Sequence, residues 1–212
     1  VIGYVLAGVL LIAAFLLLGL LVTPAPSPPD AVLRTTLAGD WRGVPGDVAA
    51  VVSAVFGPVL PVLLGVALLG WAAVRWRRGD RATAGIALRV TVVLGLCRLP
   101  SLVFKPVFDR ARPRAYADYA YPSGHVVSVA STGFAVVLLC LWLAPWLVRA
   151  AVAVSVAATA LSAASRLVLG VHWLTDTIGA VLAVTGVGLL AATAVGLLPA
   201  VRDKVPAGRG TA

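Results

Sequence analysis

Six long apolar stretches separated by short polar breaks organise this chain, near residues 3–22, 48–74, 84–104, 124–143, 147–167 and 173–198. Each approaches or exceeds the roughly 20 residues a helix needs to cross a hydrocarbon core about 30 Å thick. The pattern predicts an all-α fold: a polytopic membrane protein built as a bundle of six transmembrane helices. Pro58 and Pro61 lie inside the second stretch and are expected to kink it, with neighbouring helices satisfying the freed carbonyls. The first stretch is long for the apolar region of a signal peptide. It also lacks a small-residue cleavage site before Thr23-Pro24-Ala25-Pro26, so it reads as a retained span.

Composition agrees with that pattern. Of the 212 residues 61% are hydrophobic and 12% charged, against about 25% charged in soluble chains, which excludes a soluble globular class. The net charge of +9 does not point to nucleic acid, because the basic residues fall at segment ends and build no basic face. Cys97 and Cys140 sit in apolar runs and read as small buried hydrophobes rather than a disulfide or metal site. Every acid is Asp and Arg far outnumbers Lys, a bias associated with GC-rich bacterial genomes.

Positive charge orients the bundle. The 75–81 turn, Arg75-Trp76-Arg77-Arg78-Gly79-Asp80-Arg81, is the densest basic cluster in a plain loop and is expected to be cytoplasmic. Alternation then puts the N-terminus, Arg149 and a 199–212 tail carrying Arg202, Lys204 and Arg209 on that side. The 23–47 connection and the 105–123 and 168–173 segments face outward. Lys105, Arg110, Arg112 and Arg114 therefore cluster on the side where the topological bias disfavours cations. An anionic ligand would account for them.

Chemistry-bearing residues gather in those outward segments. Both histidines of the chain stand there, His125 in Pro122-Ser123-Gly124-His125 and His172 in the Ser165–Asp176 run. Lys105 and Arg112 are seven residues apart and could share a helix face, with Pro113 marking the end of that segment. Pro-Ser-Gly at the start of the fourth span is ordinary capping chemistry, and the same geometry aims backbone N–H groups and a hydroxyl at an anion. His172 and Asp176 are one helical turn apart, so the carboxylate can hold one ring nitrogen and aim the other. Arg98 reads as either a support of the site or a partner of some other polar group. Asp118 reads as a solvated loop residue offsetting local charge, and Trp41 and Trp173 as interfacial anchors.

In order, Lys-x6-Arg-Pro at Lys105 to Pro113, Pro-Ser-Gly-His at Pro122 to His125, and Ser-Arg-x5-His-x3-Asp at Ser165 to Asp176 strongly resemble the three motifs of the type 2 phosphatidic acid phosphatase family. All three are complete. The resemblance implies one membrane-embedded domain over 1–212, with a catalytic core at about 84–198, needing no metal and no cofactor. It implies hydrolysis of a membrane lipid phosphate through a phosphohistidine. His172 is then the nucleophile, Asp176 its orienting partner and His125 the general acid. Lys105, Arg112 and Arg166, with Ser123 and the Gly124 amide, form the phosphate cradle. A polyprenyl diphosphate is the preferred substrate. Phosphatidic acid, phosphatidylglycerophosphate, a polyprenyl phosphosugar phosphate and transfer to a second lipid are the alternatives. The expected location is a bacterial plasma membrane with the site on the extracytoplasmic side; the motifs leave the oligomeric state open.

Overall fold

The computed structural model describes residues 1–198, and the expected 199–212 tail lies outside them. Among the described residues there are only helices: α1 Ile2–Val22, α2 Pro28–Thr36, α3 Val44–Val55, α4 Val59–Arg77, α5 Arg81–Phe108, α6 Gly124–Leu143, α7 Val148–Val168 and α8 Leu174–Ala194. Six membrane spans result, with α3 and α4 together forming the second. Leu63, Val66, Val154 and Val156 lie on the outside of the bundle, each more than 60% exposed, a surface suited to hydrocarbon rather than water.

The centre is built by α5, α6 and α8. Val90, Val93, Leu94 and Cys97 of α5 pack with Val126, Val127 and Leu138 of α6 and with Ala180 and Val184 of α8. Apolar burial gives little drive for helices to associate within lipid, so close approach and van der Waals contact matter most. The α1–α8 pair shows this. A Cβ on Gly8 would lie 3.1 Å from the Gly186 carbonyl oxygen and one on Gly186 3.0 Å from that of Gly8, so the backbones meet where only glycine fits.

The second span is not kinked but broken. α3 stops at Val55, the chain turns through Phe56 and Gly57, and α4 restarts behind Pro58. Pro58 lacks the N–H that would continue the ladder, and Pro61 falls in the first turn of α4, where proline is tolerated. The break lies at the end of the bundle that carries both histidines. The 23–47 connection is also more ordered than a link need be. Ser27 and Asp30 cap α2 reciprocally behind Pro28 and Pro29, and a 3₁₀ turn at Asp40–Arg42 leads into α3.

α5 runs for 28 residues, about 42 Å, through both Pro100 and Pro106. It ends at Phe108, where Asp109 takes a left-handed conformation (φ 46°). Lys105 and Arg112 therefore do not share a helix face: Lys105 is on the last turn, and Arg112 is in the loop beyond. Asp109, not Pro113, marks the helix end. Residues 110–120 return on themselves through the Ala120 N–H to Arg110 carbonyl bond of 2.9 Å. The return is pinned by Tyr121, which is fully buried, stacks on Phe15 at 5.3 Å and donates its hydroxyl to the Phe15 carbonyl at 2.6 Å.

Candidate active site

Three helix ends and one loop converge beside the α3–α4 break. Pro122 and Ser123 lead into α6, and the N–H groups of its first turn have no carbonyl behind them. At the end of α7 the chain reverses through Gly170 (φ 63°), with Gly170 N–H bonded to Leu167 and Val171 N–H to Arg166. This left-handed glycine stop delivers His172 to the same place just before α8 begins. Lys105 comes from the last turn of α5, and Arg112 hangs from the loop.

A cavity of about 280 Å³ lies between them, and Lys105, Arg112, Gly124, His125, Arg166 and His172 all line it. Six of the eight residues singled out in the sequence thus share one wall. Asp176 stands behind His172, and Ser123 is fully buried next to Gly124. Although Ser123 occupies the N-cap position of α6, its hydroxyl caps nothing. That oxygen and Nε of Arg166 are buried without a hydrogen-bond partner. An unsatisfied buried polar atom costs about 1–3 kcal/mol, and an anion in the cavity is the kind of partner both atoms lack.

The His172 ring has a different partner on each edge. Nδ1 faces Asp176 Oδ2 at 3.3 Å, and Nε2 faces Arg112 Nη1 at 3.2 Å. A carboxylate can only accept and a guanidinium can only donate, so the proton belongs on Nδ1 and the lone pair on Nε2, where it accepts from Arg112 at the cavity wall. Burial pulls the ring's pKa down to about 4, assisted by Arg112 and Arg166 and opposed by the Asp176 hydrogen bond and charge. His172 is therefore neutral near pH 7.

Around the cavity the cations are held but not fully neutralised. Lys105 is paired with Asp118 and donates to the Tyr119 carbonyl at 2.8 Å. Arg112 donates to the carbonyls of Asp118 (2.5 Å) and Val171 (2.9 Å), reaches Asp118 Oδ2 at 3.5 Å, and carries the Tyr116 ring 4.3 Å from its guanidinium. Arg166 donates to Ser53 Oγ on α3 at 2.6 Å. Arg98 bonds the Gly124 carbonyl at 3.3 Å as well as Ser128, and it lines the same cavity, so it supports the site. Asp118, expected to be solvated, does keep half its side chain exposed, but it lies between two cradle cations. Partial burial raises its pKa, yet Lys105 outweighs that and leaves it below the usual carboxylate value.

Two expectations need correction. Trp173 is not an interfacial anchor; it is buried and donates its indole N–H to the Ala111 carbonyl at 2.9 Å, tying the loop to α8. Arg110, counted only as one of the outward cations, is 2% exposed and joins Asp176 at 2.5 Å to Asp30 at 2.9 Å. Neither the contacts of Asp30 with the site nor the buried role of Arg110 carried a local signal, because both depend on contacts 66 to 145 positions apart. Among the described residues no group of three or more His, Cys, Asp or Glu could hold a metal ion.

Helices that cross a membrane and a cation-lined cavity with a neutral, carboxylate-held imidazole define a membrane enzyme acting on an anionic group. A family model described as the PAP2 superfamily matches residues 86–198, more than half of the chain, and the chain belongs to that family. It is accordingly a membrane phosphatase. In fold it resembles a crystal structure described as the first transmembrane PAP2 type phosphatidylglycerolphosphate phosphatase from Bacillus subtilis, at a TM-score of 0.65 and 22% identity, covering 89% of this chain and 94% of that one. No curated protein matches the sequence.

Proposed function

We propose that the chain hydrolyses a lipid phosphate through a covalent phosphohistidine at His172. Nε2 of His172 attacks phosphorus. The bond from phosphorus to the lipid oxygen breaks, and His125 protonates that oxygen as it leaves. Water activated by His125 then attacks the phosphohistidine, freeing inorganic phosphate and restoring the ring. Lys105, Arg112 and Arg166, with Ser123 and the Gly124 amide, stabilise charge on the equatorial oxygens. The observation that carries this reading is the His172 ring, clamped by Asp176 on one edge and presenting its lone pair to a cation-lined cavity on the other.

A lipid is the substrate class because the cavity borders the bilayer. Leu102 lines it and is 66% exposed on the outer surface of α5, so a headgroup can enter while its tails remain in hydrocarbon. A polyprenyl diphosphate is the preferred substrate, since Arg98 adds a fourth cation to the three of the cradle and a diphosphate carries more charge than a monoester. Phosphatidylglycerophosphate is the second reading, favoured by the activity named for the B. subtilis protein. We take the site to face the extracytoplasmic side of a bacterial plasma membrane, a reading supported by the arginines of the 75–81 turn at the opposite ends of the spans.

The test is a panel of purified lipid monophosphates and diphosphates in nanodiscs, ranked by kcat/KM, with trapping of radiolabelled enzyme. Label on His172 and free phosphate as product are expected. Label moving to a second lipid instead would make the chain a transferase, and a top-ranked monoester would replace the diphosphate reading. Labelling of Asp118→Cys by an impermeant reagent from the cytoplasmic side only would overturn the orientation.

A further inference from the structure

Asp30 is buried to 1% exposure on α2, in the connection between the first two spans and outside the residues matched by the family model. Its role as a cap of α2 explains one contact, the Ser27 N–H at 3.2 Å. The other contacts point elsewhere. Oδ1 accepts the Thr175 N–H at 3.0 Å, and Oδ2 accepts the Thr175 hydroxyl at 2.7 Å and Arg110 Nη2 at 2.9 Å. On the far edge of the same guanidinium, Nη1 donates to Asp176 Oδ1 at 2.5 Å. The chain from His172 through Asp176 and Arg110 to Asp30 is therefore continuous, and all four side chains are buried.

Two carboxylates sharing one guanidinium have a consequence for the ring. A phosphorylated imidazole that keeps its Nδ1 proton carries positive charge, which Asp176 must balance. Arg110 alone would cancel Asp176 and leave the ring facing a neutral pair. With Asp30 on the other edge the cluster keeps one net negative charge. The remaining groups around His172 are hostile to a cation: Lys105 from α5, Arg166 from α7, Arg112 from the loop and His125 from α6, opposed by Asp176 from α8 on the ring itself and by Asp118 of the loop, which is already shared between Lys105 and Arg112.

We infer that Asp30 and Arg110 form a positioning pair that fixes Asp176 and holds the charge it presents to His172 at one net negative. This rests on His172 being the nucleophile. Burial raises the Asp30 carboxyl, and the Thr175 and Arg110 hydrogen bonds more than offset it, so Asp30 stays ionised. The pair acts through Asp176 and touches no substrate.

Charge arithmetic separates this from a merely structural strut. The full chain in nanodiscs, with a short-chain phosphatidic acid as probe, is assayed as Asp30→Asn, Arg110→Gln and the double variant. Asp30→Asn leaves the cluster neutral: kcat falls about tenfold or more, KM changes less than about threefold, and the acid limb of kcat/KM moves down. Arg110→Gln leaves two negative charges, and the limb moves up by about one pH unit. The double variant restores one net negative charge, so its limb returns to the wild-type position. A strut predicts the opposite: limbs unmoved, and a double variant worse than either single in proportion to folded protein. Either result overturns the inference. If a single variant does not fold, the limb of the double decides, unchanged in support and displaced against. Label on His172 is read throughout, so its absence from the wild type would sink the proposed function rather than the pair.

Discussion

The two edges of His172 are built on opposite terms. Behind Nδ1, Asp176, Arg110 and Asp30 are almost fully buried, and both carboxylates are saturated with hydrogen bonds. In front of Nε2, the cations share one half-exposed acid, Asp118, and two buried polar atoms lack partners. A saturated buried network is stiff, because moving any member strands another charge in low dielectric. An undersatisfied cationic face can exchange its anion. The contrast is between a part that must hold one geometry through turnover and a part that must take up and release a phosphate.

Removing the residue at the boundary is expected to do the most damage. His172→Ala should lose activity by about 10⁴-fold or more, since nothing else offers a nucleophile there; phosphate release near the wild-type rate would end the covalent reading. His125→Asn should follow, at about 10²–10⁴-fold, with the deficit shrinking for substrates whose leaving group needs no protonation. On the front edge, Arg166→Ala should cost about 10²–10³-fold in kcat, measured with the same lipid phosphate. Its protein should unfold at nearly the wild-type temperature if that edge is as undersatisfied as its geometry indicates.

Smaller effects sharpen the comparison. Because the neutral ring is the attacking form and its pKa lies near 4, kcat/KM should hold from neutrality into mild acid and fall as pH drops through about 4. A limb near the ordinary histidine value would mean that water reaches the ring. Asp118→Asn should lower KM by about two- to fivefold with kcat little changed, because that carboxylate competes with substrate phosphate for Lys105 and Arg112. A higher KM would instead make Asp118 part of the binding surface.

Much of the front edge was legible in the chain because its members lie in short motifs at helix ends. Spacing alone paired His172 with Asp176, although His172 lies in the bend just before α8 rather than on a helical turn with it, and Pro122-Ser123-Gly124 announced a helix start. Lys105 and Arg112 were rightly grouped for the wrong reason: they meet across a loop at Asp118, not along a helix. The back edge left almost no trace. Asp30 was one more residue of the 23–47 connection, Arg110 looked like one more outward cation, and Trp173 like a membrane anchor.

Sequence by itself determined the six spans, the all-helical class and the three polar segments at their ends, because hydrophobic run length and local capping are properties of neighbouring residues. Only the tertiary structure decided that the second span breaks beside the cavity, that α2 folds over the site, and that Arg110 lies between Asp30 and Asp176. Those outcomes come from burying charge among distant helices, where a guanidinium is tolerated only if carboxylates from other parts of the chain arrive to meet it.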